Sequence, residues 1–315
     1  MSKTDSPVGG PLGLIAGPTA SGKSGLALKL ADALAQRGKK AVIVNADSMQ
    51  VYRDIPILSA APEPGEMARH LHKLYLAWDG SETCSAADWA ARAKSEIGAA
   101  HAANAVPILV GGTGLYMRTL LEGIAPIPPI DPDIRAEVRA LDQTEARSAL
   151  ESEDAEAAAR LAPADRARTA RALEIVRSTG RTQTHWQARK EGGIADQVSL
   201  NAAILLPDRE WLYDRCERRF ELMLEAGAVA EVEALLAREL EPSLPVMRAI
   251  GVAEIAAWID GETTREEMTA AGKQATRNYA KRQYTWFRNQ PPADWERFES
   301  QNFSIDSLLE GILRE

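Results

Sequence analysis

The feature that most constrains this chain is a glycine-bearing loop that joins a short apolar run to a helical segment. Residues 12–16 read LGLIA, residues 17–24 read GPTASGKS, and residues 25–35 carry apolar side chains at helical spacing. The loop is a complete G-x-x-x-x-G-K-[ST] pattern between a predicted strand and a predicted helix. Its backbone N–H groups are therefore expected to wrap a diphosphate, which Lys23 neutralises while Ser24 holds Mg²⁺.

Two later apolar runs extend the predicted sheet. AVIVNAD at 41–47 and VPILVGG at 106–112 are largely apolar, as buried parallel strands are, and residues 86–103 between them are helical by composition. The alternation of strands and helices predicts a three-layer α/β core with a parallel sheet. Its ligand site is expected beyond the carboxyl ends of the strands.

A proline-rich stretch marks the predicted domain boundary. The helix that follows GGTGLY is expected to end near Glu122, and residues 125–133 then read APIPPIDPD. Asp131 has the character of a helix N-cap, with Pro132 at the first helical position. The residues from there to about Lys190 predict a small all-helical insert.

The chain is expected to return to the sheet after the insert. NAAILLP at 201–207 predicts a strand, and Asp208 opens what we interpret as one long helix to about Glu239. Residues 1–10 are expected to form a frayed tail. The predicted domains are 1–122 and 192–315 for the two parts of the core, and 123–191 for the insert.

Composition excludes several classes of protein. No apolar run approaches the roughly 20 residues of a membrane-spanning helix, and the N-terminal residues lack the regions of a signal peptide. Cys84 and Cys216 match neither a disulfide framework nor a metal-binding pair. We therefore expect a monomer in the cytoplasm, without a membrane partner.

The charge of the chain is acidic overall but basic in places. A net charge of -8 weighs against nucleic-acid binding unless cations gather locally. They do so at 163–190, with seven cations and two acids, and at 272–290, with five cations and no acid. A solvated helix face is the more ordinary interpretation of either segment alone. In the second segment we expect three aromatic residues to join the core, namely Tyr279, Trp286 and Phe287. We expect two of its cations, Arg277 and Lys281, to contact RNA.

One carboxylate ends a predicted strand near the loop. The strand at 106–112 ends in Gly111 and Gly112, where a standard nucleoside triphosphatase has the aspartate that holds Mg²⁺, whereas Asp47 ends the strand at 41–47. Asp47 is able to organise Mg²⁺, cap a helix or act as a general base beside the loop. The loop and Asp47 alone would therefore also suit an ATP-dependent kinase of a small molecule.

Seven segments, in their order and spacing, closely resemble those of the tRNA dimethylallyltransferases, the IPP transferase family. They extend from about Leu12 to Gln290. They read GPTASGKS, NADSMQVYRD, VGGTGLYMRTLLEG, RARTARALEI, DRCERRFELML, PVMRAIGV and TRNYAKRQYTWFRNQ. The resemblance implies a P-loop NTPase-like three-layer core with an inserted all-helical domain that binds tRNA. It also implies a bacterial-type prenyltransferase that uses Mg²⁺, dimethylallyl diphosphate and the anticodon stem-loop of tRNA.

The resemblance implies the reaction and its site residues. A dimethylallyl group would pass to the exocyclic amine of the adenosine 3′ of the anticodon, with Asp47 as the base and Arg219 facing the departing diphosphate. Thr19, by its place inside the loop, is expected either to hydrogen-bond the reacting assembly as a catalytic residue or to shape the loop. The implied diphosphate-binding residues are Gly17, Thr19, Ala20, Ser21, Gly22, Lys23 and Ser24. The expected tRNA-binding residues are Asp47, Ser48, Met49, Gln50, Thr113, Arg135, Ala167, Arg168, Thr169, Ala170, Arg171, Arg248 and Gly251, to which the basic segment adds Arg277 and Lys281.

The chain departs from the family pattern at two places. Residues 54–62 read DIPILSAAP, without the threonine and lysine that the family often has there. Val252 and Ala253 follow Gly251, where the family commonly has an aromatic and then a basic residue. Any stacking or phosphate contact from these positions is expected to be absent.

Besides the kinase, two alternatives stay open. A prenyltransferase could take a free adenine nucleotide as acceptor, as the cytokinin-forming relatives do, although the arginine-rich insert favours a larger substrate. A non-catalytic RNA-binding protein would have no need of Lys23. An acceptor base stacked in an RNA loop must be extruded to reach a buried donor, so the prenyltransferase interpretation predicts recognition of single-stranded neighbours.

Overall fold

The computed structural model describes residues 9–299 and 304–314, so most of the predicted N-terminal tail, residues 1–8, lies outside the described residues. The strands of the described residues form one parallel sheet. Its strands are β1 (Pro11–Ala16), β2 (Lys40–Asn45), β3 (Leu71–Lys73), β4 (Ala105–Gly111), β5 (Ser199–Leu205) and β6 (Glu296–Phe298). They lie in the order β3–β2–β4–β1–β5–β6, and every pairing is parallel.

The helices of the described residues follow the strands along the chain. Two short 3₁₀ helices occupy Ala195–Gln197 and Val246–Arg248. The α-helices are α1 (Lys23–Gln36), α2 (Pro64–Arg69), α3 (Ala86–Ala102), α4 (Gly114–Glu122), α5 (Pro132–Ala140), α6 (Gln143–Glu153), α7 (Ala155–Arg160), α8 (Arg166–Thr179), α9 (Gln183–Gln187), α10 (Arg209–Glu225), α11 (Ala228–Leu236), α12 (Val252–Ile259), α13 (Arg265–Asn289) and α14 (Asp306–Leu313).

Helices cover both faces of the sheet. Leu12 and Leu14 of β1 point to one face of the sheet and Ile15 points to the other, and all three are fully buried. Apolar residues of α1 and α14 pack with Ile15 on one face, and α3 packs against β2 and β4. The predicted three-layer α/β core with a parallel sheet is therefore confirmed, and it places the carboxyl ends of β1, β2 and β4 at one edge.

Residue contacts divide the chain into two units. The sheet unit comprises Met1–Leu120 and Ile194–Glu315, and the helical unit comprises Leu121–Gly193. The helical unit has its own apolar core, in which Val138, Leu150 and Leu173 are buried together. It contains α5 to α9 and agrees with the inserted all-helical domain that the fold class predicts.

Local signals place two helix boundaries. Asp131 caps α5, because its Oδ1 accepts a hydrogen bond of 2.8 Å from the backbone N–H of Asp133, and this prediction is confirmed. The long helix predicted from Asp208 to Glu239 is wrong. It is two helices, α10 and α11, which are separated at Gly227, where the backbone is left-handed with a φ of 104°.

No helix within residues 9–299 and 304–314 is both long enough and apolar enough to cross a membrane.

Candidate active site

The glycine-bearing loop lies between β1 and α1, at the carboxyl edge of the sheet. Gly22 precedes α1 in a left-handed conformation with a φ of 96°, and Ala20 is also left-handed with a φ of 61°. Lys23 begins the helix, and its Nζ donates a hydrogen bond of 2.6 Å to the Pro18 carbonyl oxygen. The loop therefore curls over its own lysine at the N-terminus of α1, an arrangement suited to an anion.

A cavity, which we call the loop cavity, opens in front of this turn. Its walls include five of the predicted diphosphate-binding residues, Thr19, Ala20, Gly22, Lys23 and Ser24, and also Asp47, Gln50, Ser59, Ala60, Arg215 and Arg219. Gly17 and Ser21 are not among its walls. Gly17 lies against the Leu205 carbonyl oxygen, and the Ser21 hydroxyl is buried without a hydrogen-bond partner. These two residues therefore shape the loop from behind.

Lys23 is the electrostatic centre of the loop cavity. Burial lowers its pKa to about 8, Asp47 opposes that shift by attraction, and Arg219 adds to it by repulsion. The buried ammonium group of Lys23 is poorly solvated, and a bound anion would replace the stabilisation of its charge that water provides at the surface. The loop therefore favours an anionic ligand with several negative charges.

Two arginines of α10 reach the loop from the neighbouring helix. Arg215 Nε donates to the Ala20 carbonyl oxygen at 2.9 Å, and Arg219 donates to the Thr19 hydroxyl at 3.4 Å. They are one helical turn apart and share a face, as their spacing predicts. Both guanidinium groups therefore contact the loop, and burial lowers the pKa of Arg219.

Asp47 lies just beyond the end of β2, beside the loop. Its Oδ1 accepts a hydrogen bond of 3.0 Å from the Met49 backbone N–H. Gly111 at the end of β4 makes this placement possible, because a Cβ there would lie 2.1 Å from the Ala46 carbonyl oxygen. Gly111, which stands where a standard nucleoside triphosphatase has a Mg²⁺-binding aspartate, thus leaves the space that the backbone of Ala46, next to Asp47, occupies.

A second cavity, which we call the apolar cavity, adjoins the loop cavity. Its apolar walls come from Met49, Leu58, Phe220, Met223 and Ile250, and Arg248, Tyr279 and Arg282 also line it. Five residues border both cavities: Thr19, Asp47, Ser59, Ala60 and Arg219. All three residues that were predicted to be catalytic therefore lie where the anion-binding and apolar spaces meet.

Three side chains beside Asp47 form a chain of polar contacts. Thr113 Oγ1 accepts a hydrogen bond of 2.9 Å from the Ser48 backbone N–H and lies 3.2 Å from the Ser48 hydroxyl. The Tyr279 hydroxyl bonds to Thr113, and burial together with the charge of Asp47 raises the pKa of Tyr279. The prediction that Tyr279 belongs to the core is wrong, since it lines the apolar cavity.

The residues present fit a Mg²⁺ ion that arrives with a diphosphate. Ser24 is exposed to the loop cavity, where its hydroxyl is available as a ligand. The described residues contain no cluster of three or more His, Cys, Asp or Glu side chains that could hold a metal alone. Mg²⁺ takes only one or two protein ligands when substrate phosphates and waters complete its octahedron, so a cluster is not required.

The predicted RNA-binding residues of the sheet unit are placed unequally. Arg248, Ser48 and Met49 line the apolar cavity, whereas Gln50 holds the backbone carbonyls of Ser59 and Ala60 at 3.0 and 2.7 Å. The prediction that Gly251 contacts tRNA is wrong, because Gly251 is buried against Leu58 and Phe220. Two cations of α13 were predicted to contact RNA. Of these, Lys281 is exposed, whereas Arg277 forms an ion pair with Glu217.

In the helical unit the predicted RNA-binding residues are largely engaged within the unit. Glu174 is buried and forms ion pairs with Arg135, Arg139 and Arg171. Arg168 pairs with Asp165. Thr169 is fully buried, so its predicted RNA contact is wrong, whereas Ala167 is exposed and Ala170 packs at the edge of the core.

The segment that departs from the family pattern is held from two sides. The backbone N–H groups of Ile57 and Leu58 donate to the Glu231 carboxylate at 2.7 and 2.8 Å, and Gln50 bonds the residues that follow. Ser59 and Ala60 consequently reach both cavities. This segment contributes backbone and apolar surface to the site without the threonine and lysine of the family.

Sequence reasoning missed Gln283 of α13. Its Oε1 accepts a hydrogen bond of 2.8 Å from the Thr19 backbone N–H, and its Nε2 donates to the Gly112 carbonyl oxygen at 2.9 Å. The Thr19 N–H is therefore already bonded and does not face the cavity. One signal could have revealed Gln283: it is a polar residue in the buried stripe Thr276, Ala280, Gln283 and Phe287.

The fold and the cavities define an α/β protein in which a glycine-bearing loop of the phosphate-binding pattern faces the carboxylate of Asp47, while β4 ends in Gly111 instead of an aspartate. A family model described as IPP transferase matches residues 50–290. The chain is 65% identical over 304 residues to the tRNA dimethylallyltransferase of Erythrobacter litoralis, with 96% of each chain covered. It is 61% identical over 279 residues to that of Novosphingobium aromaticivorans, with 88% of this chain and 99% of that one covered. The chain belongs to the IPP transferase family.

Solved structures agree with this assignment. The full-length tRNA isopentenylpyrophosphate transferase of Bacillus halodurans matches with a TM-score of 0.66 and 33% identity, over 96% of this chain and 94% of that one. A eukaryotic dimethylallyltransferase acting on tRNA matches with a TM-score of 0.74 and 27% identity, over 88% and 69%. The suspected family is therefore confirmed, together with its fold.

Proposed function

We propose that this protein transfers a dimethylallyl group from dimethylallyl diphosphate to the exocyclic amine of the adenosine 3′ of the anticodon in tRNA, and releases diphosphate. The observation that carries the proposal is the meeting of the two cavities at Asp47, Thr19 and Arg219. One cavity suits a diphosphate and the other suits an apolar group or a base. A reaction between their contents would take place beside Asp47.

The loop cavity supplies the groups that stabilise the leaving diphosphate. When the allylic carbon–oxygen bond breaks, its electron pair stays with the diphosphate, on which negative charge grows. Lys23 and Arg219 line the cavity in which this charge grows, so positive charge is already in place before the bond breaks. Mg²⁺ held by Ser24 would add positive charge at the same place.

Asp47 is the group that accepts the proton of the acceptor. The lone pair of the adenine amine is delocalised into the ring, so the amine is a poor nucleophile, and its attack is helped when a proton leaves as the new bond forms. As the nitrogen bonds to the allylic carbon, the proton moves to the Asp47 carboxylate, which borders the apolar cavity. The products are a secondary amine, diphosphate and a protonated carboxyl.

The apolar cavity suits both the prenyl chain and an extruded base. Its aliphatic and aromatic walls exclude water from the allylic carbon, and Arg248 and Arg282 at the same cavity are available to RNA phosphates. A small-molecule kinase would also need a pocket for its acceptor, but these apolar walls suit a prenyl chain better than a polar phosphoryl acceptor. The walls of the apolar cavity thus favour the prenyltransferase over the kinase.

Two parallel incubations test the proposal. One contains unmodified tRNA, Mg²⁺ and dimethylallyl diphosphate without ATP, and the other contains ATP and candidate small-molecule acceptors in place of the prenyl donor. Mass analysis of anticodon-loop fragments is expected to show one added dimethylallyl group in the first incubation only. No modification in the first, or phosphoryl transfer in the second, would contradict the proposal.

A further inference from the structure

The side chain of Asn45, the last residue of β2, makes three hydrogen bonds although it is fully buried. Its Oδ1 accepts from the Asp47 backbone N–H at 2.8 Å, and its Nδ2 donates to the Asp47 carbonyl oxygen at 3.0 Å. The same Nδ2 donates to the Leu74 carbonyl oxygen at 3.1 Å. One side chain thus holds both backbone polar groups of Asp47.

The surroundings of Asn45 are themselves tied down. Trp89 Nε1 donates to the Asn45 carbonyl oxygen at 2.8 Å, and its ring stacks on Tyr116 with centroids 4.6 Å apart. On the other side, Leu74 has a left-handed backbone with a φ of 63°, and Leu76 donates its N–H to the Gln50 carbonyl oxygen at 2.9 Å. Asn45 therefore connects the segment of Asp47 to two rigid neighbours.

We propose that Asn45 is a positioning residue that fixes the Asp47 carboxylate for proton transfer, an inference that rests on the proposed function. Asp47 lies outside the regular pairing of β2, and without Asn45 its backbone polar groups would lose both of these partners. A neighbouring aliphatic side chain could fill the space but could not supply paired donor and acceptor groups. Asn45 supplies both within one planar amide.

Removal of this clamp is expected to slow the chemical step without abolishing substrate binding. A displacement of about 1 Å in a reacting group costs on the order of 10²-fold in rate. We therefore expect Asn45→Ala to lower the single-turnover rate at saturating tRNA and donor on the order of 10²-fold, while the Kd for inorganic diphosphate stays within about twofold. The loop that binds the diphosphate does not include Asn45.

The deciding experiment is a double-mutant cycle with Asp47. If Asn45 acts through Asp47, Asn45→Ala lowers the single-turnover rate in the wild-type background and causes little further loss in an Asp47→Ala background. Equal losses in both backgrounds, or no loss in the wild-type background, would overturn the inference. Failure of the proposed function is a separate outcome, because the wild-type protein would then transfer no prenyl group at all.

Two further variants separate positioning from stability. Val44→Ala removes a fully buried side chain from the same strand, and it is expected to lower the Tm while leaving the single-turnover rate nearly unchanged. Trp89→Phe keeps an aromatic ring but removes the bond to Asn45, and it is expected to slow the chemical step several-fold in the wild-type background only. If Asn45→Ala does not fold, Trp89→Phe decides the question in the same cycle.

Discussion

The cations of the sheet unit and those of the helical unit have different partners. Lys23, Arg215 and Arg219 bond to oxygen atoms of the phosphate-binding loop and line the loop cavity. In the helical unit, three arginines surround the buried Glu174, and Arg177 pairs with both Glu137 and Glu153. A cation held by the fold's own carboxylates must give up a partner before it can grip a phosphate.

This difference shows why counted charges misjudge a binding surface. Residues 163–190 and 272–290 carry the same positive excess, but much of that charge is matched by acids elsewhere in the chain. On α13, Lys273 pairs with Glu221 and Arg277 with Glu217 of α10. Cations that border the cavities are therefore expected to matter more for function than cations counted in a segment.

The largest effect is expected at the carboxylate that the loop cations face. Asp47→Ala should lower the single-turnover rate of prenyl transfer by roughly 10² to 10⁴, the usual range for a lost general base. The Kd for tRNA should change much less, because Asp47 supplies no positive charge. Rapid-quench measurement with saturating donor checks this, and an unchanged rate would remove Asp47 from the mechanism.

The next effect is expected at the arginine between the two cavities. Arg219→Ala should lower the single-turnover rate by about 10² to 10³, by analogy with the loss of one preorganised donor to a developing negative charge. Arg218→Ala is the matched control, since Arg218 is the exposed neighbour on the same helix. Equal rates for the two variants would show that the position of Arg219 carries no special role.

A pH effect is expected at Lys23. Since burial lowers its pKa from 10.5 to about 8, the folded chain binds fewer protons than the unfolded chain between those values. Folding stability from this group therefore rises with pH across that window, while diphosphate affinity falls as the amine loses its proton. The Kd for inorganic diphosphate should rise by up to about tenfold per pH unit above pH 8.

Calorimetric titration between pH 7 and pH 9.5 measures this dependence. Lys29→Ala, which alters an exposed lysine of the same helix, should show the same dependence as the wild-type protein. In Lys23→Ala, binding should be weak at every pH and should lose the component assigned to Lys23. A wild-type affinity that stays constant through pH 9.5, after correction for the titration of diphosphate itself, would show that Lys23 remains charged.

The smallest effect on tRNA binding is expected from the arginines of the helical unit, and it is measured against Arg282 of the sheet unit. Arg282→Ala should weaken tRNA binding and reduce the slope of log K against log salt by about one. Arg168→Ala and Arg171→Ala should reduce the slope by less, because these arginines already form ion pairs with Asp165 and Glu174. Filter-binding titrations from low to high salt check this. A larger change for either helical-unit variant would reverse the comparison.

The sequence predicted the elements that depend on local patterns. The phosphate-binding loop, the strand that leads to Asp47, the Asp131 cap and the helical character of the insert all follow from spacing or from residue type. The break at Gly227 was missed because the apolar pattern continues across it. Family resemblance, rather than local pattern, indicated Arg219 and the carboxylate's role.

Partners brought together by the fold could not be predicted. Gln283 reaches the loop from 264 positions away, and Glu217 neutralises Arg277 from a different helix. The pairing of Glu174 with three arginines, and the burial of Thr169 and Gly251, likewise depend on which helix face turns inward. Composition records such charges but not which of them meet.

The most direct test of the account is a crystal structure of this protein with an unreactive analogue of dimethylallyl diphosphate and an anticodon stem-loop. The account predicts the diphosphate against Lys23 and Arg219, with the extruded adenine in the apolar cavity and its amine about 3 Å from the Asp47 carboxylate. A diphosphate bound away from the loop, or an adenine amine out of reach of Asp47, would contradict it.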